Sequence, residues 1–181
     1  MMKNVTQISV PDRKDVNEKS QELFDQLKTQ LGMVPNLYAT IGYSSNALEN
    51  FLTFSGNAGK GTFSNKEIEA IKLAVSQVNN CTYCKSAHTA IAKSNGFSDA
   101  EAAELRNATI ADPKLKVLAS MAKQVAEKAG HIDADVRESF FGLGYDAKAL
   151  MDFIAVVTAI TFTNYAHALT KVEVDFPLVD N

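Results

Sequence analysis

The sequence predicts an all-α protein of seven to nine helices with no sheet. Three observations carry that expectation. Apolar residues recur at three- and four-residue spacing along most of the chain. Helix-start signals alternate with glycine or asparagine stops from one end to the other. No alternating apolar–polar run is long enough for a convincing strand.

Taken in order, Leu23, Leu27 and Leu31 share one face of a helix over 16–31, and Gly32 suits its stop. Pro35 pushes Val34 out of helical space, so residues 33–36 read as a turn. Residues 45–58 give the next helix, closed by Gly59-Lys60-Gly61. Ser64 followed three residues on by Glu67 is a capping box, in which each side chain satisfies the other's backbone donor. It opens a helix through Ile68, Ile71, Leu73, Ala74, Val75 and Val78. Asn79 and Asn80 are poor interior residues and good caps, so that helix ends there. A new helix opens at Cys81 or Thr82 and runs to Ser94-Asn95, with Gly96 in the left-handed stop position. Ser98 and Glu101 form a second capping box for a short helix. Asp112-Pro113 supplies a cap and a first-turn proline for a helix to about Ala129, before Gly130. Asp133 starts another, ending near Gly142-Leu143-Gly144, and Asp146 starts the last long helix, to about Lys171. Val172–Phe176 alternates but is short. No repeat, low-complexity tract or linker divides the chain, so 1–181 is expected as a single domain.

With 181 residues, 46% of them apolar, the chain can bury a core without help from a disulfide or a metal. Any cysteine pair is therefore free for chemistry. A net charge of −3 and the lack of a basic run argue against nucleic acid. Met1–Val5 has no apolar stretch behind its lysine, so no secretory leader is read there. The longest uncharged apolar run, 153–166, is short for a bilayer and carries Thr158, Thr161, Thr163 and Asn164. It reads as a buried helix, apolar nearly all round, which calls for burial on every side or for a subunit interface. A homo-oligomer in the cytoplasm, away from membranes and in a reducing thiol environment, is the resulting expectation.

The chemistry concentrates in Asn80-Cys81-Thr82-Tyr83-Cys84-Lys85-Ser86-Ala87-His88. If a helix begins here, Cys81 and Cys84 lie one turn apart and His88 one turn further on the same face. The two-residue spacer allows a disulfide, and the reducible kind suits a redox pair better than a staple. The helix N-terminus, His88 as proton acceptor and the charge of Lys85 all favour a Cys84 thiolate. A thiolate attacks a peroxide oxygen and becomes a sulfenic acid, which a second cysteine condenses to a disulfide. Cys84 is assigned the attack because it is nearer His88, and Cys81 the resolution. Glu69 lies on the preceding helix; an antiparallel turn at Asn79-Asn80 would bring it against His88, where it would hold one imidazole nitrogen.

The stretch 64–93, with Glu69, Val75-Ser76-Gln77-Val78-Asn79-Asn80, the CxxC Cys81-Thr82-Tyr83-Cys84 and His88, resembles the core motif of the alkyl hydroperoxidase D / carboxymuconolactone decarboxylase family. Weaker similarity to its peroxidase-related members extends to Gly32-Met33-Val34-Pro35-Asn36-Leu37, Asn164-Tyr165 and Asp175-Phe176-Pro177. The resemblance implies a compact multi-helix AhpD-like fold with a redox core at about 64–95. It implies Cys84 as attacking thiol, Cys81 as resolving thiol, His88 as base and Glu69 behind it. It implies hydroperoxide reduction in antioxidant defence, no bound cofactor, a trimer or hexamer, and a reducing partner such as a lipoylated or thioredoxin-like protein. The decarboxylase members lack the dithiol, which argues against their reaction here. One departure is Tyr83, where the founding peroxidases carry a histidine; a tyrosine, with a pKa near 10, is a weaker proton carrier and is expected to shape the site.

Other readings of the same residues are a general thiol–disulfide oxidoreductase, a redox sensor without peroxidase activity, and half of a zinc site. Zinc needs four ligands, and His131 or His167 would have to reach Cys81, Cys84 and His88 from far away. His131 reads as loop, and His167 and Asn164 as structural residues of the last helix, Asn164 hydrogen-bonded if buried.

Overall fold

The computed structural model describes residues 8–179; the chain start, read above for a leader, lies outside them. Among the described residues there are nine α-helices, one 3-10 turn and no strand. The helices are α1 (Glu18–Leu31), α2 (Asn36–Ile41), α3 (Ser45–Ala58), α4 (Asn65–Val78), α5 (Thr82–Ser94), α6 (Asp99–Asn107), α7 (Pro113–Glu127), α8 (Ala134–Gly142) and α9 (Ala147–Thr170).

The helix starts fall where the caps put them. Ser64, Ser98 and Asp112 accept backbone N–H bonds at the heads of α4, α6 and α7, and both capping boxes close. Gly32 follows α1 with φ 79°, left-handed backbone that a side chain would strain. Two elements differ from expectation. Pro35 does not merely turn the chain: it caps α2, because a proline fixes its own φ at a helical value and forbids helix only to the residue before it. Helix α7 stops at Glu127, two residues early, with Ala129 and Gly130 both at positive φ.

Helix α4 is the hub. From Glu67 to Ser76 every residue except Lys72 is buried, and the helix packs on α5, α6, α7 and α9. Ile71 and Val75 join the largest apolar cluster with Phe140 and Phe153. Ala70 and Leu73 face a second cluster with Phe97 and Leu105. A third, around Phe24 and Leu48, ties α1 to α2 and α3. Burying a side chain of this size contributes roughly 1.5–3 kcal/mol over leaving it exposed. The central position of α4 also draws its polar residues inside, Glu69 among them.

Helix α9 has 24 residues and is long and apolar enough to cross a membrane by length and composition. In this fold Phe153, Val156, Val157 and Ile160 bury one of its faces in the main cluster. Met151, Ile154, Phe162, Tyr165 and Leu169 stay exposed on the other. Among the described residues, burial on every side is therefore not met.

Candidate active site

Helices α4 and α5 meet at Asn79 and Asn80. Asn80 has φ 49°, a left-handed backbone that asparagine tolerates better than most residues. The Cys81 N–H then donates to Ser76 O at 3.0 Å, which turns the chain back along α4. Cys81 is the N-cap of α5: its Sγ accepts from the Cys84 N–H at 3.2 Å. Cys81 and Cys84 are joined as a disulfide with Cα atoms 5.3 Å apart. Both sulfur residues are buried, but only Cys84 faces open space, on the wall of a cavity of about 300 Å³.

The reversal at Asn80 lays α5 along α4 and brings Glu69 to His88. His88 Nδ1 sits 2.7 Å from Glu69 Oε2, and the carboxylate is only 3% exposed. An ionised carboxylate can only accept, so Nδ1 carries the proton and Nε2 is left to accept. His88 shares the cavity wall with Cys84. The spacing along α5 thus sets Cys84 and His88 on one cavity wall, and the packing of α4 sets Glu69 against His88.

The rest of the cavity is mostly apolar, formed by Leu31, Met33, Pro35, Leu37, Ile91 and Phe176, with Tyr38, Tyr83, Ala87 and Thr163. Thr163 Oγ1 lies 3.9 Å from Cys84 Sγ and donates to Ile160 O at 2.9 Å. Tyr83, between the two cysteines, donates to Asp175 Oδ1 at 2.6 Å and accepts from the Leu37 N–H at 3.2 Å. Burial, reinforced by the Asp175 acceptor, pushes the Tyr83 phenol far above its ordinary range, so it stays protonated. Its hydroxyl ties α5 to the chain's end and to the start of α2.

Lys85 takes a different place from the one its sequence position suggests. It is fully buried, does not line the cavity, and its Nζ lies 3.4 Å from Asn80 Oδ1. Burial, with Arg106 nearby, lowers its pKa. His131 is in a loop, and His167 Nε2 donates to Val172 O at 3.2 Å while its ring packs against Tyr83. Asn164 is buried; it donates to Ser76 Oγ at 3.2 Å and accepts from Asn79 Nδ2 at 2.9 Å. That network pins the α4–α5 turn to α9. Among the described residues no three His, Cys, Asp or Glu side chains gather as a metal site.

Tyr38, Thr163 and Phe176 come to the site without having been singled out for it. Tyr38 follows the unexpected helix start at Pro35, and the other two are far from the dithiol in sequence. The only signal at Asp175-Phe176-Pro177 was the weak family likeness of the chain's end.

Residues 46–127 match the model of the carboxymuconolactone decarboxylase family. No curated protein matches the sequence. Among solved structures, an uncharacterized peroxidase-related protein of Ralstonia eutropha JMP134 with an alkylhydroperoxidase AhpD core superposes with TM-score 0.81 at 20% identity, over 92% of this chain and 90% of its own. A peroxidase-related protein of Silicibacter sp. TM1040 gives TM-score 0.76 at 20% identity, over 99% and 96%. A variant of the debrominase Bmp8 in complex with 2,3,4-tribromopyrrole gives 0.77 at 18%, over 97% and 93%. Residues 46–127 are thus similar to the carboxymuconolactone decarboxylase family, and the chain carries an AhpD-like all-helical fold.

Proposed function

We propose that this protein reduces organic hydroperoxides with its own dithiol. One observation carries the reading: Cys84 and the Glu69-bound His88 share the wall of one apolar cavity, with Cys81 behind as disulfide partner. His88 Nε2 takes the Cys84 proton. The thiolate attacks the terminal peroxide oxygen; the O–O bond breaks, and the leaving alkoxide takes the proton back from His88 as it departs as an alcohol. Cys84 is left as a sulfenic acid. The Cys81 thiol displaces its hydroxyl as water and closes the disulfide, so two thiols and one hydroperoxide give a disulfide, an alcohol and water. The electrons come from the protein, and an external dithiol, lipoylated or thioredoxin-like, restores it in the cytoplasm. The exposed apolar face of α9 supports assembly of several copies, which sedimentation velocity would register as a mass above 19.6 kDa.

The test is free-thiol loss in the reduced protein after one equivalent of cumene hydroperoxide, with His88→Ala alongside. Rapid loss of both thiols, slowed by about 10²-fold or more in the variant, supports the reading. Loss no faster than for free cysteine sinks it. A second reading has one specific support, the apolar cavity in a fold shared with a debrominase that binds a brominated pyrrole. There two thiols and an aryl bromide would give disulfide, arene and hydrogen bromide. Bromide release from 2,3,4-tribromopyrrole, matched to thiol loss and faster than the peroxide reaction, would favour it.

A further inference from the structure

Residues 171–179, beyond α9, have no regular secondary structure, yet Val172 is buried and Phe176 forms part of the cavity wall. A segment without a backbone ladder has to be held by side chains, and one carboxylate does most of this. Asp175 Oδ1 accepts from the Tyr83 hydroxyl at 2.6 Å, and Oδ2 accepts from the Asn36 N–H at 2.9 Å. The Leu37 N–H donates to the same Tyr83 oxygen, and the Asn36 side chain donates to Glu173 O at 3.2 Å. Asp175 therefore joins the residue between the two cysteines to the first turn of α2, a helix N-terminus that itself favours a negative charge. The next residue, Phe176, is thereby laid edge-on against Tyr83 with ring centres 5.6 Å apart.

From this arrangement we infer that the segment 172–176 selects substrates by size: Phe176 is the specificity-determining residue of the cavity, and Asp175 is a positioning residue that holds it there. What is selected is the organic group of an uncharged reagent approaching Cys84. Apolar cavity walls discriminate by the room they leave, and the change of one methylene is worth about tenfold or more in rate. The inference rests on the peroxidase reading for the nature of the natural substrate, but not for its test, which uses alkylation.

In the Cys81→Ser chain, Cys84 is alkylated with iodoacetamide and with the bulkier N-benzyl iodoacetamide, and the ratio of the two rates is read. Phe176→Ala should raise the relative rate of the bulky reagent about tenfold, and Phe176→Trp should lower it. Asp175→Ala should move the ratio in the direction of Phe176→Ala, and Asp175→Asn, which keeps an acceptor, by less. Loss of packing alone would change both reagents together and leave the ratio fixed; that result overturns the inference, as does an unchanged ratio in Phe176→Trp. With both thiols present, the ratio of cumene hydroperoxide to hydrogen peroxide should shift in the same order. A wild type unreactive to either peroxide would refute the peroxidase reading and leave the alkylation result standing.

Discussion

Glu67 offers the sharpest test of how this fold is held. Its carboxylate accepts from Lys114 Nζ at 2.6 Å, from the Tyr145 hydroxyl at 2.7 Å, and from Ser64 N–H and O–H at 2.7 and 2.8 Å. Burial alone would raise its pKa; these donors outweigh burial and hold it at about 2, against 4.5 for an ordinary glutamate. At roughly 1.4 kcal/mol per pH unit the ceiling on its contribution is about 3 kcal/mol. The Glu67 side chain is 9% exposed but that of Lys114 is 50% exposed, so water screens one end of the pair. We take about 2 kcal/mol. Because the folded pKa lies below the unfolded one, this stability is fully present above pH 4.5 and is lost as pH falls from 4.5 through about 2. Urea unfolding followed by circular dichroism should show Glu67→Gln weaker by about 2 kcal/mol at pH 7, with the gap to wild type closing toward pH 2. Other carboxylates titrate in both proteins and cancel in the difference. A gap as large at pH 3 as at pH 7, or no gap at pH 7, would refute the assignment.

Three further outcomes are expected from the same structure. In Cys81→Ser, hydroperoxide should consume one thiol per chain and leave a Cys84 sulfenic acid that dimedone captures, whereas in Cys84→Ser the Cys81 thiol, away from the cavity, should react no faster than free cysteine. Asn164→Ala strands Ser76 and Asn79 and should cost about 1–3 kcal/mol in urea unfolding. Gly42→Ala would put a Cβ 2.5 Å from the ring of buried Phe24 and should lose about 1–3 kcal/mol, read as a lower urea midpoint at constant m.

Much of the fold was legible because its information is local. The Ser64–Glu67 and Ser98–Glu101 boxes, Asp112-Pro113 and Gly96 act on backbone groups within a few residues, and the helices start and stop where they say. The reach of Glu69 to His88 could be anticipated for a related reason: a tight turn at Asn79-Asn80 leaves two adjacent helices little choice but to run antiparallel. Other features were hidden because they depend on distant partners. Lys85 looked like a neighbour of the thiol by its number, yet α5 carries it off the cavity wall. Nothing near Tyr83 in the chain announces Asp175, 92 residues on. The short α2 escaped because the proline rule constrains the residue before Pro35 and leaves those after it free to be helical. The exposed stripe of α9 reflects how the other described helices pack against it, a property of the assembled set rather than of α9.

Tyr83 also gives the protein an optical handle. The chain has no tryptophan and five tyrosines, so its ultraviolet emission comes mainly from phenol rings. One of those rings belongs to a residue inside the loop closed by the Cys81–Cys84 bond, pinned by Asp175 and flanked by His167 and Phe176. Opening that loop changes the surroundings of this ring. The oxidation state of the dithiol can then be followed continuously in unlabelled protein.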